Sequence, residues 1–361
     1  MPKTKFLLDR RLLLAGAAGG TALLAAPAIV RAQTRLRLTI AAGHGEGFLW
    51  VKNLNDAFIP TVDAALAGSD IQIDWTEAYS GTLARPGSEL ETMEQGISDC
   101  GAVMTVFHAA KMPLMNLTFA APFGPTDPDV VMTAMDELHA TVPAFQEAWE
   151  RNGLLHLASV GVDNYTMYLK DPVNSFADLS GRKIGGAGPN LLWLGGSGAV
   201  GVAGPAPEAY NNIRSGVVDG YILYDTGAAP LNLQEVAPNA LLVDFGAMLV
   251  GALAVNRARW DSFPEQVKDA FRAGAAAYAS AYAADLNARS EEARAELLAG
   301  GMTYGSLPMA DRTGWIDGMP NPAIDWAATA GNDDGVSALR AYYGSVAATG
   351  FTFPRDFAAE L

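Results

Sequence analysis

The sequence predicts an α/β protein of two lobes, and three observations carry that prediction. A chain of 361 residues, half of them hydrophobic, exceeds one small core and suits two. Apolar runs of period two alternate with helical stretches, the order of a mainly parallel sheet with helices on its faces. Between Pro264 and about Leu298 the chain is rich in Ala, Glu, Arg and Lys with no internal proline. That stretch predicts one helix of about 50 Å, long enough to brace both lobes.

In chain order, the first feature is an export signal at residues 1–32. Lys3, Lys5, Arg10 and Arg11 precede an apolar run rich in Ala, Leu and Gly from Leu12 to Ile29, and Val30-Arg31-Ala32 closes it with a small-residue cleavage site. Arg10-Arg11 followed by Leu12-Leu13-Leu14 resembles a twin-arginine signal and fits an ordinary basic leader equally well. The mature chain opens on Leu36-Arg37-Leu38-Thr39-Ile40, an alternating strand that stops at the loop Gly43-His44-Gly45-Glu46-Gly47. A helical pattern from Phe48 to about Leu66 leads to a second strand, Ile71-Gln72-Ile73-Asp74-Trp75. Glu89 to Gln95 is helical and ends at Gly96, and Ala102 to Phe107 is a third apolar run. Pro122, Pro125 and Pro128 mark a turn before a helix from Val130 to about Trp149. A second α/β set starts at Leu154 and includes Tyr165 to Leu169, Lys183-Ile184 and Tyr221-Ile222-Leu223. No flexible linker divides the chain, so it must cross between lobes more than once. The expected division is 33–162 with about 251–290 in lobe I, and 163–250 with about 291–361 in lobe II.

Removing the signal strips Lys3, Lys5, Arg10, Arg11 and Arg31 along with Asp9, leaving 19 basic and 38 acidic residues and a net charge of −19. Such a surface repels nucleic acid and anionic lipid. Every apolar run beyond the signal is broken well before the roughly 20 residues that a membrane span needs, so direct membrane insertion is not expected after cleavage. The one cysteine, Cys100, cannot form an internal disulfide, and its neighbours Gly101-Ala102-Val103-Met104 predict a buried, inert thiol. Enzyme readings fare poorly. His44, His108, His139 and His156 are scattered, with no paired metal-ligand spacing. The run Gly196-Ser197-Gly198-Ala199-Val200-Gly201 matches G-x-G-x-x-G, yet it follows the helical stretch Asn190 to Leu194, whereas a phosphate loop follows a strand. It reads as a glycine-rich turn from helix to strand. Alanine at position 199 removes a nucleophile elbow as well. The expectation is a binding protein with no catalytic residues, metal or cofactor.

Four blocks carry a resemblance. Asn174-Ser175-Phe176-Ala177-Asp178-Leu179-Ser180-Gly181-Arg182-Lys183-Ile184 is followed by Pro207-Glu208-Ala209-Tyr210 and by Ser215-Gly216-Val217-Val218-Asp219-Gly220, and Glu89 to Asp99 adds a helix and turn upstream. In order and spacing these resemble the DctP-like solute-binding subunits of tripartite ATP-independent periplasmic (TRAP) transporters, a family named for dicarboxylate capture. The resemblance implies the two-lobed periplasmic binding protein fold with hinge crossings and a long bracing helix. It implies as partners a small organic solute and the membrane subunits of a TRAP transporter, in the periplasm. Within these blocks Asp178, Gly181, Glu208 and Asp219 read as structural, since Asp before a strand and Glu near a helix start are capping positions.

The informative feature is a departure. The resemblance implies an arginine after the Lys183-Ile184 pair, gripping a ligand carboxylate with a bidentate fork, but that position is Gly185. A second family arginine falls on Tyr165, and Arg182, at a strand start, is expected to face solvent. Aromatic residues near predicted element ends are the candidate replacements: Phe48 and Trp50 after the first loop, Tyr79 after the second strand, Phe107 beside His108, then Tyr165, Trp193, Tyr221 and Tyr224, with Asp163 and Asp225 close by. Such faces beside a carboxylate suit an amine or quaternary ammonium group. The ligand is thus either a carboxylate held by unusual donors or a cationic or neutral compound. The competing readings are a sensor partner that presents a bound ligand, and an enzyme on the same architecture.

Overall fold

The computed structural model of the chain describes residues 34–361, and the export signal expected at 1–32 lies outside the described residues. Its strands are β1 (Thr34–Ala41), β2 (Ile71–Ala78), β3 (Cys100–Val103), β4 (Leu154–Val162), β5 (Tyr165–Leu169), β6 (Lys183–Gly186), β7 (Val200–Ala203), β8 (Gly220–Tyr224), β9 (Asn239–Leu242), β10 (Met248–Asn256) and β11 (Thr303–Ser306). The helices are α1 (Leu49–Asn53), α2 (Ile59–Leu66), α3 (Glu89–Glu94), α4 (Pro128–Thr141), α5 (Pro143–Arg151), α6 (Ala209–Arg214), α7 (Asp225–Ala228), α8 (Arg257–Ser262), α9 (Glu265–Ala299), α10 (Met309–Gly318), α11 (Ala323–Thr329) and α12 (Asp333–Ala348).

Two sheets result, in the orders β2-β1-β3-β10-β4 and β11-β9-β5-β8-β6-β7. Helical crossovers make β2, β1 and β3 parallel, as the alternation of elements predicts. The parallel pattern gives way at β10, which runs antiparallel to β3 and β4 because the chain re-enters the first sheet from the opposite lobe. Every residue of β10 is buried, which explains its unbroken apolar run MLVGALAV before the terminal Asn256, whose Nδ2 donates to the Met93 carbonyl at 2.8 Å. In the second sheet β8, β6 and β7 are parallel, and β5 runs antiparallel between β8 and β9.

Prolines edit two expected helices. The segment Phe48 to Leu66 divides into α1, a π turn at Leu54–Phe58, and α2, whose Pro60 has no N–H to donate. The helix expected over 130–149 is broken at Pro143 into α4 and α5 for the same reason. By contrast α9 runs unbroken for 35 residues, about 50 Å. Its first half buries Phe271, Tyr278 and Tyr282 in the core shared with the first sheet, while Ala293 and Leu297 pack with Tyr168 and Leu233 of the second lobe.

The hinge is short and heavily bonded. Asp163 and Asn164 carry the chain out of β4, and Val243 to Ala247 bring it back. Asn164 donates from Nδ2 to Asp244 at 3.1 Å and accepts from the Gly246 N–H at 3.0 Å, while the Tyr165 N–H donates to the Gly246 carbonyl at 3.0 Å. Gly246 has φ +104°, and a Cβ there would lie 3.1 Å from the Gly124 backbone, so only glycine suits this strap. Beyond α9 the chain, expected wholly with lobe II, divides. β11 pairs with β9, whereas α12 packs on α4 of the first lobe, Ser345 donating to Glu137 at 2.5 Å.

Candidate functional site: the cleft between the lobes

A cavity of about 270 Å³ lies between the two sheets, close to the lower end of the ~300–1,000 Å³ typical of small-ligand sites. The first lobe lines it with His44, Phe48 and Trp50 beyond β1, with Met104, Val106 and Phe107 beyond β3, and with Val250 of β10. Tyr165, Ala187, Pro207, Leu223, Tyr224, Thr226 and Leu231 come from the second lobe, and α9 adds Tyr282 and Arg289. Most of these follow the carboxyl ends of parallel strands β1, β3, β6, β7 and β8, where open α/β sheets leave room for ligands.

Of the residues singled out from sequence, Phe48, Trp50, Phe107, Tyr165 and Tyr224 line the cavity. Tyr165 stands edge-on to Tyr224 and Trp193, with ring centroids 5.3 and 5.4 Å apart. The other five turn elsewhere, each for a stated reason. Trp193 is fully buried between Phe119 and Phe245 and donates to the Phe119 carbonyl at 2.9 Å, so it is core between the lobes. The Tyr79 hydroxyl is spent on Asn55 at 2.7 Å. His108 is buried with Nδ1 3.8 Å from Glu91, and burial lowers its pKa. Asp225 accepts from Tyr168 and, at 2.8 Å, from Tyr304 within the second lobe. Gly185 lies under the Tyr221 ring: a Cβ added there would meet Cδ2 and Cε2 at 2.3 Å.

The neighbouring motif residues are structural. Asp178 accepts the Asn174 and Ser175 N–H groups at 2.9 Å each, closing a capping box, and Asp219 accepts the Lys183 N–H at 2.8 Å. Arg182 spends its guanidinium on the carbonyls of Asp178, Asp171 and Pro172. It does not line the cavity. The glycine-rich run at 196–201 joins a helical turn, Pro189–Leu194, to β7, the turn its sequence suggested.

Among the described residues, Arg289 is the one Lys or Arg side chain that lines the cleft. Sequence reasoning passed over it, because nothing separates it from Lys268, Arg272 and Arg294 along the same helix. Its Nη1 and Nη2 donate to the two carboxylate oxygens of Glu296 at 2.8 and 2.9 Å, which raises its pKa, and it keeps unspent N–H donors. Asp163 stands behind Thr226, whose hydroxyl and N–H it accepts at 2.5 and 3.2 Å. Burial pushes the Asp163 carboxyl up to about 6. His44, also on the wall, is held neutral by burial, its pKa lowered to about 4.

Away from the cleft, Asp136, His139 and His156 form a compact group, the two imidazoles stacked at 3.7 Å. Both ring nitrogens of His139 are occupied: Nδ1 lies 2.7 Å from the Met135 carbonyl, and Trp149 Nε1 donates to Nε2 at 3.1 Å. The group reads as a satisfied core cluster. Cys100 is buried in β3, and burial raises its thiol pKa. Among the described residues no helix is long and apolar enough to cross a membrane.

Comparison with known proteins gives a consistent picture. The family model described as bacterial extracellular solute-binding protein, family 7 (DctP) matches residues 57–325. A TRAP periplasmic solute-binding protein of Chromohalobacter salexigens with bound D-glucuronate is 19% identical, with a TM-score of 0.74 over 85% of this chain and 99% of its own. An extracytoplasmic solute receptor of Bordetella pertussis that binds pyroglutamic acid is 18% identical, with a TM-score of 0.73 over 85% and 99%. A marine metagenome TRAP protein specific for aromatic acids, in complex with 3-hydroxybenzoate, is 19% identical, with a TM-score of 0.73 over 87% and 99%. At such identities the likeness is one of fold.

Proposed function

Because the chain belongs to family 7 of the bacterial extracellular solute-binding proteins, we propose that it captures a small organic acid in the periplasm and delivers it to the membrane subunits of a TRAP-type transporter. The acid reading rests on one observation: in a cleft walled by aromatic and aliphatic side chains, Arg289 is the one guanidinium among the described residues, and it has N–H donors to spare. An apolar wall with a single forked cation suits a monocarboxylate whose body is apolar or cyclic. The relatives described above hold glucuronate, pyroglutamic acid and 3-hydroxybenzoate, which supports an acid as the ligand class. Closure follows from tighter binding to the closed lobes than to the open ones, and α9, which packs on both, places its arginine where the two meet. The basic, apolar leader at 1–32 supports export.

The experiment is a thermal-shift screen of carboxylates, amines and betaines on the mature protein and on Arg289→Met. A ligand that binds only the folded state raises the melting temperature. Acids should stabilise the parent, and the variant should bind them about ten- to hundredfold more weakly, the loss expected for a charge-assisted hydrogen bond. Stabilisation by amines or betaines alone would overturn the acid reading.

A further inference from the structure

Besides Arg289 and the hydroxyls of Tyr165 and Tyr224, which make no hydrogen bond with the described residues, the first-lobe wall of the cleft carries a group whose hydrogen-bonding capacity is unspent. His44 sits in the loop after β1, its ring 4.7 Å from that of Phe48 and 5.1 Å from that of Trp50. Nδ1 is buried without a partner and lies 4.0 Å from Oε1 of Glu89, which is also buried and without one. The Glu89 side chain is 2% exposed, and its Oε2 accepts the Gly87 N–H at 2.7 Å. Nε2 of His44 is placed differently. It makes no hydrogen bond with the described residues, yet it is not one of the buried unpartnered atoms, so it is the ring nitrogen open to the cavity that His44 lines.

Chemistry then assigns the ring's single proton. A neutral imidazole carries it on one nitrogen only, and burial keeps His44 neutral. Burial pushes the Glu89 carboxyl up to about 7, so above that pH an ionised carboxylate oxygen faces Nδ1 and favours the proton on that side, the usual way in which a second group sets a histidine tautomer. A small side-chain adjustment that shortens the 4.0 Å separation by about 1 Å would complete the bond. Nε2 is left as a bare acceptor.

We propose that Nε2 of His44 accepts a hydrogen bond from a hydroxyl or amine N–H of the bound solute, and that Glu89 is the positioning residue that fixes the ring for it. The inference rests on the acid reading and narrows it: the solute is a hydroxy or amino acid with an apolar body. Phe48 and Trp50 hold the ring from the sides and cover the body, Arg289 takes the carboxylate, and His44 reads the second polar group.

Three probes that share one body make the test: phenylacetate, mandelate and phenylglycine, titrated calorimetrically into the mature protein. Mandelate should bind about three- to tenfold more tightly than phenylacetate, the worth of one neutral hydrogen bond, and phenylglycine, whose amine is an ammonium at neutral pH, about ten- to hundredfold, the worth of a charge-assisted one. Whichever shows its gain identifies the donor as hydroxyl or amine. His44→Phe keeps an aromatic ring but removes the acceptor, so the ratio of mandelate or phenylglycine affinity to phenylacetate affinity should fall to about one, whatever the change does to binding of the shared body. Nitrogen-15 NMR of the parent should show Nε2 unprotonated, and Glu89→Gln should shift that signature and shrink the preference together. Equal binding of the three acids, a preference that survives His44→Phe, or a protonated Nε2 would overturn the proposal. Failure of all three acids to bind would instead bring down the acid reading beneath it, and this inference with it.

Discussion

Replacing Gly185 by alanine tests how Tyr221 governs the wall of the second lobe. The two residues face each other across the parallel β6–β8 pair. A Cβ at position 185 would lie 2.3 Å from two ring carbons of Tyr221, more than 1 Å inside the ~3.5–4.0 Å contact distance between carbons. The ring is buried and its hydroxyl donates to the Gly204 carbonyl, so it has nowhere to yield without losing that bond. Overpacking costs about 1–3 kcal/mol and the lost hydrogen bond about 1 kcal/mol. The sum of ~2–4 kcal/mol, divided by an unfolding entropy of about 2.1 cal/mol/K per residue, lowers the melting temperature of a chain this long by about 3–6 °C. Thermal and urea melts of Gly185→Ala, Tyr221→Ala and the double variant measure it. In the Tyr221→Ala background the added methyl has room, so the two costs should fail to add by more than about 1 kcal/mol. If Gly185→Ala melts with the parent, or if the costs simply add, the contact is not what keeps the residue glycine. By the same geometry Gly185→Arg alone should lose stability without gaining affinity for simple carboxylates.

Two further outcomes follow from the charges. Glu296→Gln removes the acid that occupies two donors of Arg289, and acid affinity should rise about two- to fivefold at low salt, as expected for release of an exposed pair; calorimetry at two ionic strengths checks this, and unchanged affinity would mean that Arg289 meets ligand through other donors. His139 is neutral above pH 6.5 in folded and unfolded chains alike, but burial lowers its folded pKa to about 4. As pH falls from 6.5 toward 4 the unfolded chain takes up a proton that the folded one refuses, so stability drops by ~1.4 kcal/mol per pH unit, to a total of about 3 kcal/mol. In the difference between the parent and His139→Gln, urea-unfolding free energies should show that slope below pH 6.5 and none above it; a flat difference would refute it.

Legibility of the fold and of the cleft differed for physical reasons. Period-two alternation marked β1 and β2 because each has one solvated face, and α9 was legible because 35 helical residues contain no proline. The antiparallel placing of β10 was not, since a fully buried strand reads the same in either direction. Pro143 was visible and decisive, yet a helical run on both sides of it masked the break into α4 and α5. In the cleft, position along the chain was enough to find Phe48, Trp50, Phe107, Tyr165 and Tyr224, which stand at element ends. It was not enough to separate them from Trp193 or Tyr79, because an aromatic at an element end can face the core as readily as the cavity. Arg289 left no local signal, since a helix shows its faces only once its neighbours are placed.

The position of that arginine bears on mechanism. The resemblance implies a cation on β6, fixed to one lobe, but there the Tyr221 ring fills the space any side chain at 185 would need. Arg289 instead stands on α9 between Tyr282 and Leu286, which belong to the core shared with the first sheet, and Ala293 and Leu297, which belong to the second lobe. A carboxylate drawn to it therefore binds the element that both lobes share. Coulomb attraction to such a cation does not by itself favour closure, because the cation is equally present in the open form. On the reading proposed above, the differential affinity that closes the lobes comes from groups reached only when they meet: the aromatic wall of Phe48, Trp50 and Phe107 on one side, Tyr165 and Tyr224 on the other, and the His44 acceptor. Affinity for the acid and the drive to close then reside in different residues, so Arg289→Met should weaken binding of every acid alike, whereas changes at His44 should alter which acid closes the cleft.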